Sequence, residues 1–284
     1  MLAKGERVRL SDAQVAEFTA FAIAAAALAG LEALRYFRQG VAVEDKGGEA
    51  WYNPVTAADR DTEGVIRARI AARYPDHAIY GEEHGHEPGR SPLTWVIDPI
   101  DGTKAFISGM LHWGVLIALY DGAEPVIGVM HQPFTDEYFI GGPNGSEYRR
   151  GGQRMALRVR PCGSVGAAAL ATTGTDYFSP EALASFQQLK AAVRMTRFGG
   201  DCYSYALVAH GQLDVVLEWG LKPYDIQALI PIVRGAGGLI TDWQGGDCSN
   251  GGAVLCAGDP RVHEAVIALL AAPHTARTDT GGQP

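Results

Sequence analysis

The segment Trp95-Val96-Ile97-Asp98-Pro99-Ile100-Asp101-Gly102-Thr103 constrains this chain more than any other. An apolar strand runs straight into two aspartates, a proline and a glycine. Pro99 biases Asp98 away from helical backbone angles, so Asp98-Pro99-Ile100-Asp101 starts extended, and the Ile100 carbonyl between the acids can serve as a third oxygen ligand. Gly102 permits a sharp turn. A helix beginning near Gly102-Thr103 would aim backbone N–H groups, and the positive end of its dipole, at an anion.

Other acids repeat the arrangement. Ala78-Ile79-Tyr80 reads as a strand ending in Gly81-Glu82-Glu83, and Asp225 opens a late helix. Strands that deliver carboxylates from their C-terminal ends are a common site architecture. Clustered acids repel, and a set of four in a cleft is untenable unless it is protonated or holds cations. Two divalent cations cancel four negative charges. Mg²⁺ favours oxygen ligands and keeps several waters, which suits a few carboxylates plus a substrate phosphate. Read singly, each acid fits a solvated turn. As a unit, every residue of Asp-Pro-Ile-Asp-Gly-Thr is separately demanded by a metal and phosphate site.

The 284 residues are 47% hydrophobic and 20% charged, enough for a large core and incompatible with wholesale disorder. The net charge of −8 provides no field for a nucleic acid, so an anionic small substrate needs local help from cations or helix N-termini. Cys162, Cys202, Cys248 and Cys256 form neither a C-x-x-C pair nor a zinc spacing, and read as reduced thiols of a cytoplasmic protein. The Ala-rich apolar run 21–31 is too short to span a bilayer and lacks the order of a leader, so no membrane association is expected.

Along the chain, Ser11 and Gln14 form a capping-box pattern that predicts a helix running to Arg38, and Asn53-Pro54 precedes a second helix over residues 57–73. Apolar runs 115–120, 126–131 and 137–140, separated by turn residues, predict an antiparallel meander. After Pro161 strands and helices alternate. Strands are expected at 167–172, 213–218, 239–243 and 253–257, and helices at 180–193, 203–209, 225–235 and 261–271. Residues 1–272 thus read as one unit in two halves, about 1–160 rich in antiparallel sheet and about 161–272 more α/β, with 273–284 a frayed tail.

Competing phosphoryl chemistries fit poorly. Haloacid-dehalogenase enzymes place an aspartyl nucleophile in D-x-D-G-T, whereas the spacing here is D-x-x-D. There is no Cys-x5-Arg loop and no G-x-x-x-x-G-K-[ST]. Attack by a metal-activated water remains.

Val55-Thr56-Ala57-Ala58-Asp59, Gly81-Glu82-Glu83, the Trp95 to Thr103 segment, and Asp225 with Ala236-Gly237-Gly238 resemble the inositol-monophosphatase family in the expected order over most of the chain. The resemblance implies a layered αβαβα sandwich of the inositol-monophosphatase and fructose-bisphosphatase type, commonly a homodimer, using two or three Mg²⁺ ions. It implies metal ligation by Glu82, Asp98, the Ile100 carbonyl, Asp101 and Asp225. It further implies that Thr103, hydrogen-bonded to Asp59, orients the attacking water and that the Gly102 and Thr103 amides hold phosphate.

The segment 198–206, with Glu218 and Leu221-Lys222-Pro223-Tyr224-Asp225, looks more like the histidinol-phosphate phosphatase branch. Inositol enzymes commonly carry Trp where Tyr224 stands, and a small residue where Asp201 stands. Histidinol phosphate carries an ammonium and an imidazole, whereas inositol presents only hydroxyls, so Asp201 and Glu218 are the candidate substrate carboxylates. Against these roles stand an N-cap for Asp201 and a solvated strand end for Glu218. The expected reaction is hydrolysis of histidinol phosphate to histidinol and phosphate. The alternatives are inositol monophosphate, a broader range of small phosphate esters, or, from a different class, a catalytically inactive metal-binding regulatory protein. The complete set of Glu82, Asp98, Asp101, Thr103, Asp59 and Asp225 argues against the last.

Overall fold

The computed structural model describes residues 7–47 and 52–272, so the tail expected at 273–284 lies outside the described residues. Helix α1 (Asp12–Leu34) starts on the anticipated capping box, with the Gln14 amide donating to Ser11 Oγ at 3.3 Å and the Ser11 amide to Gln14 Oε1 at 3.0 Å. It ends short of the expected Arg38, which adopts a left-handed φ of +61° that a helix cannot pass through. The whole helix is 23 residues, long and apolar enough to cross a bilayer by length and composition, which corrects the reading from the shorter run. Its Ala22, Ala25, Ala26 and Ala29 are fully buried among sheet residues.

Strand β1 (Val43–Asp45) pairs antiparallel with β2 (Pro54–Thr56), and α2 (Ala57–Arg73) follows with the anticipated bounds. Then come β3 (Ala78–Gly81), β4 (Gly85–Glu87), β5 (Thr94–Asp101) and the short α3 (Thr103–Ile107). The meander β6 (Gly114–Tyr120), β7 (Pro125–Gln132) and β8 (Glu137–Gly142) continues into β9 (Gly145–Arg150) and β10 (Gln153–Ala156). These last two are largely exposed and carry Arg149, Arg150 and Arg154, so no apolar run announces them.

The second half holds β11 (Ala169–Thr172), α4 (Pro180–Ala192), β12 (Met195–Phe198), α5 (Asp201–Ala209) and β13 (Val215–Leu221). It closes with α6 (Pro223–Ile226), α7 (Leu229–Gly235), β14 (Leu239–Asp242), β15 (Gly252–Ala257) and α8 (Pro260–Ala271). The single helix expected over 225–235 is two. Pro231 has no N–H for the Gln227 carbonyl and its ring would strike that carbonyl, so the break falls at 227–228. Strand β13 begins later than expected because the Gln212 and Leu213 amides are spent on the Leu207 carbonyl, closing α5.

Two sheets organise these elements. The first runs β10-β9-β8-β7-β6-β5-β3-β4 and is antiparallel except for β3 against β5; the second runs β12-β11-β13-β15-β14. Period-two alternation assigns each face. Trp95, Ile97, Val115, Ile117 and Leu119 pack with α1 and α2, whereas Val96, Leu116, Ala118 and Tyr120 enter a central cluster with α5, α7 and Val216, Val254 and Cys256 of the second sheet. The far side of that sheet, Val215, Leu217 and Leu255, packs with α4 and α8. The layers are therefore helix, sheet, helix, sheet, helix.

The central layer is tight because α7 meets backbone rather than side chains. A Cβ at Gly141 would lie 2.2 Å from the Ile232 nitrogen, and one at Gly128 would lie 1.9 Å from the Ala228 carbonyl oxygen. Gly141→Ala is therefore expected to cost roughly 1–3 kcal/mol by overpacking. Urea unfolding with a lowered midpoint and unchanged slope would show it.

Candidate active site

The two aspartates of Asp98-Pro99-Ile100-Asp101 are three residues apart, so on a regular strand they would face opposite ways. The pairing of β5 with β6 slips between them: Asp98 lies opposite Leu116 and Asp101 opposite Gly114. Three steps on one strand match two on the other. This bulge returns Asp101 to the face of Asp98, the face turned toward the second half of the chain. Asp225 arrives there from α6, its carboxylate accepting the Lys222 amide at 2.7 Å. One oxygen from each of Asp98, Asp101 and Asp225 lies within 4.8 Å of the others.

These acids line a cavity of about 300 Å³ with Glu82, Ile100, Gly102, Thr103, Asp201 and Glu218. Glu82, anticipated as a further ligand, stands outside the close trio, with its Oε1 2.9 Å from Lys46 Nζ. Lys46 also reaches Glu83 Oε1, at 2.6 Å.

Burial and mutual repulsion disfavour ionisation throughout. Burial first, then Asp201, lifts Asp101 to about 7. Burial and then Asp101 lift Asp225 to about 7. Glu82 rises to about 8, burial and Asp225 outweighing Lys46, and Asp98 goes well above the carboxylate range for burial and then Glu82. The donors are all hard oxygens, they converge, and the positive charge of Lys46 beside Glu82 is too little to balance their ionised form. That is the fit a divalent cation requires.

Asp59 is fully buried and does not touch the cavity. Its Oδ2 accepts the Thr56 amide at 2.8 Å and the Thr56 hydroxyl at 2.7 Å, while its Oδ1 lies 3.3 Å from Thr103 Oγ1. Thr103 Oγ1 is also 3.2 Å from the Ile100 carbonyl oxygen. Gly102 caps α3 with φ of +88°, and a Cβ there would lie 2.6 Å from the His112 carbonyl oxygen, so conformation and space both require glycine.

The second half closes the cavity with Asp201 and Glu218. Asp201 is not the N-cap of α5, since Gly200 holds that position, and it adopts a left-handed φ of +42° at the cavity wall. The adjoining Cys202 amide donates to Asp101 Oδ1 at 2.8 Å. Burial, then Glu218, lifts Asp201 to about 7.

Glu218 is not a solvated strand end. It is 1% exposed, its Oε1 accepts the Thr173 amide at 2.6 Å and hydroxyl at 2.9 Å, and Thr172 Oγ1 reaches its Oε2 at 3.3 Å. Burial nevertheless lifts it to about 8.

Several side chains here escaped the sequence reading. Lys46 and Tyr177 line the cavity, as does Tyr205, which the sequence reads as a packing residue and whose hydroxyl is buried without a partner among the described residues. Glu63 is buried behind the Glu82 turn, and its only sequence signal is sharing the helical face of Ile66 and Ile70. Arg197 lies on exposed β12, and His84, His86 and His112 are exposed and outside the cavity wall.

Each lifted carboxyl binds its proton in the folded chain at pH values where the unfolded chain has lost it. Stability without metal should therefore fall as pH rises from the ordinary carboxylate range to about 8, and level off above. Melting temperatures across that range should show the decline, and saturating Mg²⁺ should abolish most of it. A flat metal-free profile would mean the cluster carries no such strain.

The comparisons agree with this geometry. Residues 14–274 match the model of the inositol monophosphatase family. The chain is 38% identical over 272 residues to the bifunctional phosphatase IMPL2, chloroplastic, of Arabidopsis thaliana, covering 92% of this chain and 77% of that one. It is 34% identical to a histidinol-phosphatase of Chlorobaculum parvum, covering 76% of this chain and 82% of the relative. An inositol monophosphatase structure from Zymomonas mobilis superposes with a TM-score of 0.80 at 35% identity, covering 92% of this chain and 99% of that one. With an acidic cluster at the heart of the same layered sandwich, the chain belongs to the inositol monophosphatase family of metal-dependent phosphatases.

Proposed function

We propose that the chain is a Mg²⁺-dependent phosphomonoesterase that hydrolyses histidinol phosphate to histidinol and phosphate. One observation carries the substrate reading: the cavity that gathers Asp98, Asp101 and Asp225 also presents two further carboxylates, Asp201 and Glu218. Inositol offers only hydroxyls and gives such acids no charge to pair with. An ammonium and an imidazole do. Relatives named as histidinol-phosphatase and as a bifunctional phosphatase support the assignment.

Asp98, Asp101, Asp225, Glu82 and the Ile100 carbonyl would hold the cations. When bound, Mg²⁺ supplies a more acidic water and neutralises charge on the leaving oxygen. The chain's own contribution is orientation. Asp59 is committed to Thr56 on one oxygen and directs the other at Thr103, so the Thr103 proton points inward and its lone pairs face the cavity. That hydroxyl accepts a hydrogen bond from the attacking water and aligns it. The amides opening α3, at Gly102 and Thr103, have no intrahelical acceptor and donate to phosphate oxygens. Asp201 takes the substrate cation, with the buried Glu218 carboxyl behind it. We further propose a cytoplasmic homodimer without nucleic-acid or membrane partners.

Phosphate release should be measured with Mg²⁺ from histidinol phosphate, inositol 1-phosphate, a nucleotide 3′-phosphate and fructose 1,6-bisphosphate. Histidinol phosphate should give the highest kcat/KM; parity with inositol 1-phosphate would refute the substrate assignment, and no release from any would favour a binding protein. Asp201→Asn keeps a side chain that tolerates the left-handed backbone and should lower kcat/KM for histidinol phosphate roughly 10- to 100-fold, the worth of one charged hydrogen bond. An equal loss on inositol 1-phosphate would remove its role in selectivity. Asp98→Asn should reduce turnover beyond the roughly 10- to 100-fold typical of an outer-shell change while raising the metal-free melting temperature near neutral pH, because it removes a buried carboxyl that must take up a proton to fold. Near-normal turnover would exclude Asp98 as a ligand.

A further inference from the structure

Gly81 has no room for a side chain, because a Cβ there would lie 2.1 Å from Glu63 Oε1. Glu63 projects from the face of α2 that carries Ile66 and Ile70, and it is fully buried. A carboxylate in such a place is costly unless donors surround it. Here they do. Its Oε2 accepts the Glu83 amide at 2.7 Å, and its Oε1 accepts the His84 amide at 3.2 Å and Arg67 Nε at 2.6 Å. Arg67 extends the grip, bonding the Gly85 carbonyl and reaching Glu87 Oε2 at 3.3 Å. One buried ion pair thus fastens the turn between β3 and β4 at residues 83, 84, 85 and 87. The Glu82 amide is held from the other side by the Ile97 carbonyl at 3.2 Å. Glu82 itself faces the cavity.

We infer that Glu63 is the positioning residue for Glu82, its carboxylate locking the β3–β4 turn so that the Glu82 side chain is delivered to a divalent cation held by Asp98, Asp101 and Asp225. The inference rests on reading Glu82 as a metal ligand. Glu63 does not line the cavity and acts only through the turn. Two consecutive turn amides converge on its carboxylate, and charge-assisted bonds of this kind fix backbone that would otherwise have to be ordered when metal binds. Gly81 completes the device by leaving the slot that Glu63 fills, which gives the glycine of Gly81-Glu82-Glu83 a purpose of its own.

Mn²⁺ binding to the metal-free full chain, read from the EPR signal of free Mn²⁺, tests this without relying on turnover. Glu63→Gln removes the charge. Glu63→Asp keeps a charge beside Arg67 but withdraws it from the turn by one methylene, so it remains informative if the first variant does not fold. Both are expected to bind Mn²⁺ roughly 10- to 100-fold more weakly, the usual effect of losing an outer-shell support. Glu63→Asp combined with Glu82→Gln should bind no worse than Glu82→Gln alone, since one acts through the other. Lower melting temperatures with unchanged Mn²⁺ affinity would reduce Glu63 to a structural role and overturn the inference, as would additive losses in the double variant. If Glu82→Gln alone leaves Mn²⁺ binding unchanged, the reading of Glu82 as a ligand fails, and the inference with it.

Discussion

The structure turns on mutual repulsion among buried carboxylates. Asp98 and Asp101 come from the first sheet, Asp225 from the second half of the chain, and their oxygens converge to within 4.8 Å. Without a cation this is an unfavourable arrangement, since burial and like charge both resist ionisation. The framework holds it regardless, by packing backbone against backbone where α7 crosses Gly128 and Gly141 and by binding Asp101 to the first turn of α5. The packed core therefore bears an electrostatic strain that metal binding relieves, and stability and cation affinity become two readings of one quantity.

The site divides along the chain. The first half contributes the acids of β5, the Glu82 turn and the Asp59–Thr103 pair, which the proposed function assigns to water, cation and phosphate. The second half contributes Asp225 to the same cluster and adds Asp201 and Glu218 to the cavity wall. In that reading, reaction and selectivity are built on different segments that meet in one cavity. Asp201 holds its place with a left-handed backbone, an arrangement that strained functional positions often show.

Much of this was legible in the sequence because several of its signals are local. The Ser11 capping box, the 57–73 helix, the meander and the Asp-Pro-Ile-Asp-Gly-Thr segment each depend on neighbours a few residues apart. What escaped depends on distance or on composition without contrast. Strands β9 and β10 are exposed and Arg-bearing, so they carry no apolar alternation. The break before α7 was signalled by Pro231, but the apolar run around it concealed the signal. Lys46 reaches Glu82 across 36 positions, and Thr173 reaches Glu218 across 45, spans that no local pattern encodes. Glu63 was concealed differently: among the charged residues of α2 only its place on the Ile66 and Ile70 face marks it, and the space it fills is reserved by Gly81, on another element.

The bulge between Asp98 and Asp101 sets a constraint of length rather than of identity. Side-chain direction alternates along a strand, so acids three residues apart share a face here only because the bulge absorbs the odd residue between them. Many substitutions at Ile100 would preserve the chain count and with it the carbonyl between the acids. A single deletion there would remove the odd residue and leave two steps against two, so both aspartates would still share a face, but with one residue and one backbone carbonyl fewer between them. The extra residue therefore adds backbone between the acids, including the Ile100 carbonyl, without changing which way they point.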